Sequence, residues 1–309
     1  MAEKQPKSIT AVDVDSETEQ MRVSGRSFPV VDHGSGPTVV LLHGFPDTRR
    51  LWRHQIPALA DAGFRVLAPD LRGFGDAPKP EAVEAYKLQT VVEEDVVGLL
   101  DAVGVETAHV VGHDWGAQVG WTAAATQPDR VVSLTALTSG MLGNSGFASA
   151  AQRRALWHLN YFQFEAAEHA LRADDWALFR DWCAGGDDVD RYVERLSEPG
   201  ALTAALNWYR ANARPVPPAD APPEPPDVTC PVMGVLAEDD AYLLEPQLRN
   251  STEMIDLTEG SWRYETVADA SHWLTVDEPR ATTRLLVDFL TDQRGGESDR
   301  SSGDESPDR

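Results

Sequence analysis

The chain has 309 residues, and its apolar share of 42% with a charged share of 25% is ordinary for one large globular domain or a domain with an insertion. Its formal net charge of -23 at pH 7 excludes nucleic acid as an expected partner, because phosphate binding needs clustered Lys and Arg. No stretch reaches the roughly 18 to 20 consecutive apolar residues of a membrane span, and residues 1–20 lack the pattern of a signal peptide, so we expect a soluble cytoplasmic protein without a membrane partner.

The basic residues are almost all arginine, the exceptions being Lys4, Lys7, Lys79 and Lys87. Together with the acidic excess this bias favours a surface adapted to high salt, and the alternative is an acidic protein with compositional drift. If the surface is so adapted, lowering the salt concentration should destabilise the fold, because screening of like charges is lost. Thermal unfolding measured across a series of salt concentrations checks this prediction. Full stability in dilute buffer would favour the alternative, an acidic protein with compositional drift.

Short apolar runs alternate with amphipathic stretches of helical length, a pattern typical of an α/β fold with a mostly parallel sheet flanked by helices. A hairpin is predicted over residues 21–32, where Gly25 supplies the turn. The remaining predicted strands are residues 39–42, 65–68, 109–111, 131–137, 231–236 and 264–267. The predicted helices are residues 51–61, 89–103, 116–126, 244–255 and 279–292.

The alternation stops over residues 139–227, where helical periodicity and aromatic residues occur without a convincing strand. This segment therefore predicts a helical insertion between two parts of a core, residues 21–138 and 228–293. The insertion ends in a proline-rich run at residues 215–226, which suits a stiff extended connector. Residues 1–20 are expected to be flexible, and the acidic, Gly- and Ser-rich tail at residues 294–309 is expected to be disordered.

Residues 110–117, VVGHDWGA, have the pattern of a nucleophile elbow, a strand that turns sharply into a helix. Gly112 and Gly116 permit the tight turn, and the side chain exposed between them is Asp114 where esterases carry serine. A carboxylate is a poor nucleophile toward acyl groups, because the mixed anhydride formed is less stable than the ester attacked. Asp114 can instead displace a leaving group at saturated carbon and form an alkyl ester on the enzyme.

Cleavage of that ester needs an activated water and a stabilised oxyanion. His272 follows the last predicted strand and is the candidate base, while Asp240 follows the preceding strand and is the candidate partner that orients the imidazole. Asp239 is the obvious competitor for this second role. The backbone N–H groups of Phe45 and Trp115 are the candidate oxyanion donors.

The chain resembles the epoxide hydrolase and haloalkane dehalogenase branch of the α/β-hydrolase superfamily over nearly all of residues 21–293. The segments HGFPD (43–47), PDLRGFGD (69–76) and GHDWGA (112–117) are most similar to epoxide hydrolases. The resemblance implies an α/β-hydrolase fold whose insertion is a helical cap over the elbow. It also implies a small-molecule epoxide or organohalide substrate.

In epoxide hydrolases two cap tyrosines donate hydrogen bonds to the epoxide oxygen. The segment LNWYR (206–210) resembles one of the two tyrosine segments and makes Tyr209 the candidate donor. The other falls in WHLNYFQ (157–163), where His158 stands at the expected tyrosine. A protonated His158 is one candidate for that role, and Tyr161, three residues further along the same helical face, is the other.

Two further functions stay open. His158 and Tyr209 also resemble halide-binding cap residues of fluoroacetate dehalogenases, but the arginines that hold the substrate carboxylate there are replaced by Trp115 and Gln118. Haloalkane dehalogenases often carry a polar halide ligand at the position of Phe45, and here only the Trp115 indole is left to bind halide. A catalytically idle receptor that uses the same pocket is the third hypothesis.

Other conspicuous residues favour structural roles. Cys183 and Cys230 form no disulfide framework, and the histidines show no metal-ligand spacing, so we expect free thiols, no metal and no cofactor. His43 and His113 are expected to support loop geometry through hydrogen bonds. Four tryptophans of the insertion are expected to pack rather than bind halide, namely Trp157, Trp176, Trp182 and Trp208.

Overall fold

A computed structural model describes residues 11–141, 150–183, 188–213, 227–242 and 245–300. These residues form one sheet of eight strands in the order β1-β2-β4-β3-β5-β6-β7-β8. The strands are β1 (Thr18–Val23), β2 (Arg26–Gly34), β3 (Thr38–Leu42), β4 (Arg65–Pro69), β5 (Ala108–His113), β6 (Val131–Leu137), β7 (Val232–Ala237) and β8 (Trp262–Val267). All the predicted strands are confirmed.

The sheet is antiparallel at one edge and parallel beyond it. β1 and β2 form the expected hairpin around Gly25, and β2 pairs antiparallel with β4. From β4 through β3 to β8 every neighbouring pair is parallel. Every residue of β3, β5 and β7 is buried, because helices cover both faces of the central sheet. The loops that follow the parallel strands therefore meet at one edge.

Helices connect the strands and fill the segment between β6 and β7. They are α1 (Gln55–Asp61), α2 (Leu88–Val91), α3 (Gly98–Ala102), α4 (Trp115–Thr126), α5 (Ala150–Ala155), α6 (Trp157–Tyr161), α7 (Ala167–Trp182), α8 (Val189–Leu196), α9 (Ala201–Asn212), α10 (Glu245–Asn250), α11 (Leu274–Asp277) and α12 (Pro279–Arg300). A π-helical stretch, Val92–Val97, joins α2 to α3. None of the helices in these described ranges is long and apolar enough to cross a membrane.

The segment between β6 and β7 contains α5 to α9, and its described residues form no strand, as predicted from the sequence. Helix α7 is interrupted by non-helical backbone from Ala173 to Trp176. Helix α9 is bound to the core, because the Trp208 indole donates to the Arg72 carbonyl at 2.9 Å. The proline-rich run at residues 215–226 lies outside the described residues. We refer to α5 to α9 as the helical insertion.

Residues 11–20, which belong to the segment predicted to be flexible, pack against the core. Val14 is fully buried in the core, the Val12 N–H donates to the Arg53 carbonyl at 2.9 Å, and β1 already begins at Thr18. Two valines in a polar segment gave too weak a periodic signal to predict this. Burial of even one such side chain contributes about 1.5 kcal/mol or more, which offsets part of the cost of ordering the backbone.

The tail from residue 294, predicted to be disordered, begins within helix α12. Helix α12 continues to Arg300, beyond the predicted end at residue 292. Arg294 lies over the Phe64 ring with its guanidinium carbon 3.5 Å from the ring centroid. Helix propagation from a packed segment costs far less than nucleation, so polar residues extend an established helix that they would not start.

Candidate active site

The elbow between β5 and α4 presents Asp114 at φ 53° and ψ -118°, a conformation that an L-residue adopts only under strain. A Cβ atom on Gly112 would collide with the Gly116 carbonyl, and one on Gly116 would collide with the Leu42 carbonyl. Only glycine fits at these two positions. The surrounding backbone therefore fixes where the Asp114 side chain points.

Two backbone N–H groups converge on the Asp114 carboxylate. The Phe45 N–H donates to Asp114 Oδ1 at 2.8 Å, and the Trp115 N–H also donates to this carboxylate. Burial raises the pKa of Asp114 above its usual value, although His272 and the two N–H groups act in the opposite direction. Both predicted oxyanion donors thus contact the predicted nucleophile.

His272 lies between two carboxylates. Its Nδ1 is 2.9 Å from Asp240 Oδ2, and its Nε2 is 3.9 Å from Asp114 Oδ2. Burial lowers the pKa of His272, but the charge and hydrogen bond of Asp240, together with the charge of Asp114, outweigh it and leave the pKa raised. The neighbouring Asp239 is exposed, so geometry selects Asp240 as the partner of the imidazole.

Two buried histidines hold the loops of this site, as expected. His43 Nε2 accepts from the Leu71 N–H at 2.9 Å, so its Nδ1 carries the proton and donates to the Gly44 carbonyl. His113 Nε2 donates to the His272 carbonyl at 2.8 Å and so ties the elbow to the base. Burial lowers the pKa of both side chains to about 3, so both are neutral at pH 7.

A cavity of about 70 Å³ opens in front of Asp114, with room for roughly five water molecules at about 10–15 Å³ each. Its walls are mostly aromatic and apolar, and none of the described lining residues is Lys or Arg. The lining residues are Phe45, Pro46, Asp114, Trp115, Gln118, Ser139, Leu156, His158, Leu159, Trp182, Cys183, Tyr209, Ala213, Tyr242, His272 and Trp273.

Tyr209 and His158 both line this cavity from the helical insertion. Their ring centroids are 5.8 Å apart, and the Tyr209 ring stands edge-on to Trp115 at 5.0 Å. Burial and the charge of Asp114 raise the pKa of Tyr209 well above its usual value, which keeps its hydroxyl protonated. The structure thus brings both residues to the cavity that His272 and Asp114 also line.

A protonated His158 was one of the two candidate donors, and the surroundings of this side chain disfavour its protonated form. Burial, with a further contribution from His272, lowers the pKa of His158 to about 3, so the ring is neutral at pH 7. A neutral imidazole still carries one N–H donor. The sequence could not show this, because the aromatic cage that removes water from His158 is assembled from Phe162, Trp182 and Tyr242.

Tyr161 is not among the described residues that line the cavity. It is half-buried and packs against the Trp157 ring at 5.3 Å. Trp208 packs as expected, whereas Trp182 lines the cavity and so does more than pack. Helical spacing alone placed Tyr161 near His158 but did not determine which way it points.

Two cavity residues were missed or undervalued in the sequence. Tyr242 donates its hydroxyl to the Trp182 carbonyl and its backbone N–H to Asp240 Oδ1 at 2.8 Å. Gln118 lies one helical turn after Asp114 and donates to Ser139 Oγ at 2.5 Å. The positions of Tyr242, two residues after Asp240, and of Gln118 were the signals that could have found them.

Comparison with known proteins defines the class of this protein. The family model for the alpha/beta hydrolase fold matches residues 37–279, so the chain belongs to this family. It is 34% identical to epoxide hydrolase A of Mycobacterium tuberculosis over 312 residues, which cover 87% of this chain and 95% of that protein. It is 33% identical to the AB hydrolase superfamily protein YfhM of Bacillus subtilis, covering 84% and 91% respectively.

Solved structures agree with this assignment. An epoxide hydrolase from metagenomes of hot environments superposes with a TM-score of 0.78 at 28% identity, covering 89% of this chain and 98% of that one. Epoxide hydrolase A from Mycobacterium thermoresistibile superposes with a TM-score of 0.71 at 29% identity, again covering 89% and 98%. The predicted α/β-hydrolase fold is therefore confirmed.

Proposed function

We propose that this protein is an epoxide hydrolase that converts a small uncharged epoxide into a vicinal diol through an ester on Asp114. The observation that carries the proposal is the set of groups around one cavity: Asp114, Tyr209 and His272 all line it, and Asp240 pairs with His272. The similar proteins named as epoxide hydrolases support it. The helical insertion acts as a cap domain that supplies Tyr209 and His158.

Ring opening is the first step. An Asp114 carboxylate oxygen attacks one epoxide carbon, the bond from that carbon to the ring oxygen breaks, and the ring oxygen takes the proton of Tyr209. The products are an alkyl ester and a Tyr209 phenolate. The neutral His158 donates a second hydrogen bond to the oxygen on which charge develops.

Ester hydrolysis is the second step. His272 takes a proton from water, and the hydroxide oxygen attacks the ester carbonyl carbon while the Phe45 and Trp115 N–H groups stabilise the oxyanion. Collapse of the tetrahedral intermediate releases the product as an alkoxide and leaves Asp114 as a carboxylic acid. The alkoxide takes the acid proton, and the proton on His272 returns to the Tyr209 phenolate, so the sum is epoxide plus water to diol.

Esterification also prepares His272 for this second step. The charge of Asp114 is one of the causes that raise the pKa of His272 in the free enzyme. The ester is neutral, so its formation lowers the pKa of His272 and leaves the imidazole unprotonated when water must be activated. The two half-reactions are therefore linked through one charge.

Dehalogenation is the second candidate function. Trp115 and Trp182 both line the cavity, and two indole groups suit a halide leaving group. A haloacetate is disfavoured, because its carboxylate finds no Lys or Arg among the described lining residues. Assays with a chromogenic epoxide and with a panel of haloalkanes distinguish the three hypotheses. Diol release supports an epoxide hydrolase, halide release supports a dehalogenase, and no turnover of any substrate supports a receptor without catalytic activity.

The Tyr209→Phe variant tests the role of Tyr209 as the general acid in ring opening. We expect ring opening to slow by about 100-fold, the lower end of the usual range for general acid catalysis, while decay of any ester formed keeps its rate. Rapid-quench mass spectrometry of the Asp114 ester measures both steps. Tyr161→Phe is the matched control, because Tyr161 lies outside the cavity lining, and equal ring opening in the two variants would contradict the role of Tyr209.

A further inference from the structure

Asp47 is a buried carboxylate that the proposed mechanism leaves unused. It ends the HGFPD loop two residues after Phe45, is only 3% exposed, and has its N–H bonded to the Gly44 carbonyl at 3.0 Å. A buried charge is costly unless it is paired or hydrogen-bonded. Its environment therefore requires an explanation beyond loop geometry.

Two aromatic donors from distant parts of the chain meet on this carboxylate. The Tyr192 hydroxyl, on α8 of the helical insertion, donates to Asp47 Oδ1 at 2.8 Å. The Trp273 indole donates to Asp47 Oδ2 at 3.0 Å. The two rings stack at 6.2 Å with an interplanar angle of 28°. Asp47 thus joins the core to the insertion through both of its oxygens.

Trp273 is the residue directly after His272 and connects Asp47 to the base. The Trp273 ring lies perpendicular to the His272 ring at 5.4 Å and lines the same cavity. Because the indole is fixed by Asp47 on one edge, the peptide between Trp273 and His272 has little freedom to move. The charge of Asp47 also raises the pKa of His272.

We infer that Asp47 is a positioning residue for His272, which aligns the base through Trp273 and strengthens it through its negative charge. This inference rests on the proposed function, because it assigns Asp47 to the ester-hydrolysis step. Ring opening does not need the base and should be insensitive to Asp47. A residue that only stabilised the fold would affect both steps alike.

The charge on Asp47 is itself sensitive to pH. Burial raises the pKa of Asp47 to about 7, while the hydrogen bonds from Tyr192 and Trp273 act to lower it. The titratable and charged groups that face Asp47 are Arg50, Arg53, Cys183, Asp188, Arg191, Tyr192, Arg195 and His272. Those that face His272 are Asp47, His113, Asp114, His158, Asp240 and Tyr242.

The Asp47→Asn variant removes the charge and can keep both hydrogen-bonding contacts, with the direction of the one to Tyr192 reversed. The amide offers a single acceptor, which the indole of Trp273 takes because it can only donate, and the Tyr192 hydroxyl can turn to accept from the amide. We expect ester decay to slow by about 10-fold or more, since a weaker base takes the proton from water more slowly. The rate of ester formation should stay within about twofold.

The pH dependence of ester decay separates an effect of the Asp47 charge from an effect of its packing. His272 must be neutral to act, so ester decay rises with pH through its pKa. Loss of the Asp47 charge lowers that pKa, so in Asp47→Asn the rise moves to lower pH while the plateau falls. A histidine titration by NMR, assigned with His272→Gln, measures the pKa of His272 in the free protein, where loss of the Asp47 charge should lower it as well.

Tyr192→Phe provides a second variant that keeps the carboxylate. Loss of the hydroxyl removes a hydrogen bond to the charged form and raises the pKa of Asp47. Its defect in ester decay should therefore appear near pH 7 and disappear at higher pH, where Asp47 is ionised again. Asp47→Asn should show no such recovery.

Asp190→Asn is the matched control, because the Asp190 side chain is 92% exposed on the same helix as Tyr192. Equal ester decay and equal His272 pKa in Asp47→Asn and Asp190→Asn would overturn the assignment, and so would equal slowing of both steps without a pKa shift. If the wild-type protein forms no diol and no ester, the proposed function fails by itself. The NMR titration then still decides whether Asp47 acts on His272.

Discussion

The His272→Gln variant should accumulate the ester on Asp114. Glutamine cannot take a proton from water, so ester hydrolysis should slow by at least about 100-fold, while ring opening by Asp114 and Tyr209 continues. Intact mass spectrometry after incubation with an epoxide should show the protein heavier by the mass of one substrate molecule. Peptide mapping should place that mass on Asp114.

The control is His169→Gln, at a histidine of α7 that does not line the cavity. This variant should turn over like the wild type and carry no adduct. Undiminished turnover in His272→Gln would refute the assignment of the base. An adduct on any other residue would refute the assignment of Asp114 as the nucleophile.

The core of the candidate site was predictable because its determinants are local. The turn at Asp114 is imposed by Gly112 and Gly116, which lie within two residues of it, and the parallel strands force the loops after β7 and β8 toward the same edge. Asp240 and His272 therefore meet although 32 positions separate them. A short motif and the parallel arrangement of the strands are enough to predict where these groups lie.

The helical insertion was less predictable because its details depend on packing across the fold. The charge state of His158 depends on ring neighbours from α7 and from the loop after β7. Tyr161 shares a helical face with His158, yet its ring turns toward Trp157. Helical periodicity reports which side chains face a common direction, and it does not report how much water remains around each.

Asp47 illustrates the same limit within the core. Its place in the HGFPD motif is visible in the sequence, but Tyr192 and Trp273 lie 145 and 226 positions away. Nothing in the local pattern connects the three. These hydrogen bonds form only where the helical insertion packs against the core, so the sequence alone does not predict them.

The Asp114→Ala variant should lose all turnover and become more stable. Removing the nucleophile removes the only route to the ester, so diol formation should fall by about 1,000-fold or more and no adduct should form. The pKa of Asp114 is raised by burial, so the ionised form is disfavoured in the folded state above that pKa, and its removal should stabilise the fold near pH 7.

Calorimetry measures this gain, which should be about 2 °C or more in melting temperature for each kcal/mol recovered in a domain of this size. The gain should vanish at acid pH, because the wild-type carboxyl group is then protonated and no longer opposes folding. Asp239→Ala is the matched control, since Asp239 is exposed beside Asp240 and its loss should change neither activity nor stability. A less stable Asp114→Ala protein would mean that the Phe45 and Trp115 N–H groups depend on this carboxylate for folding, and the elbow would then be a structural device as much as a catalytic one.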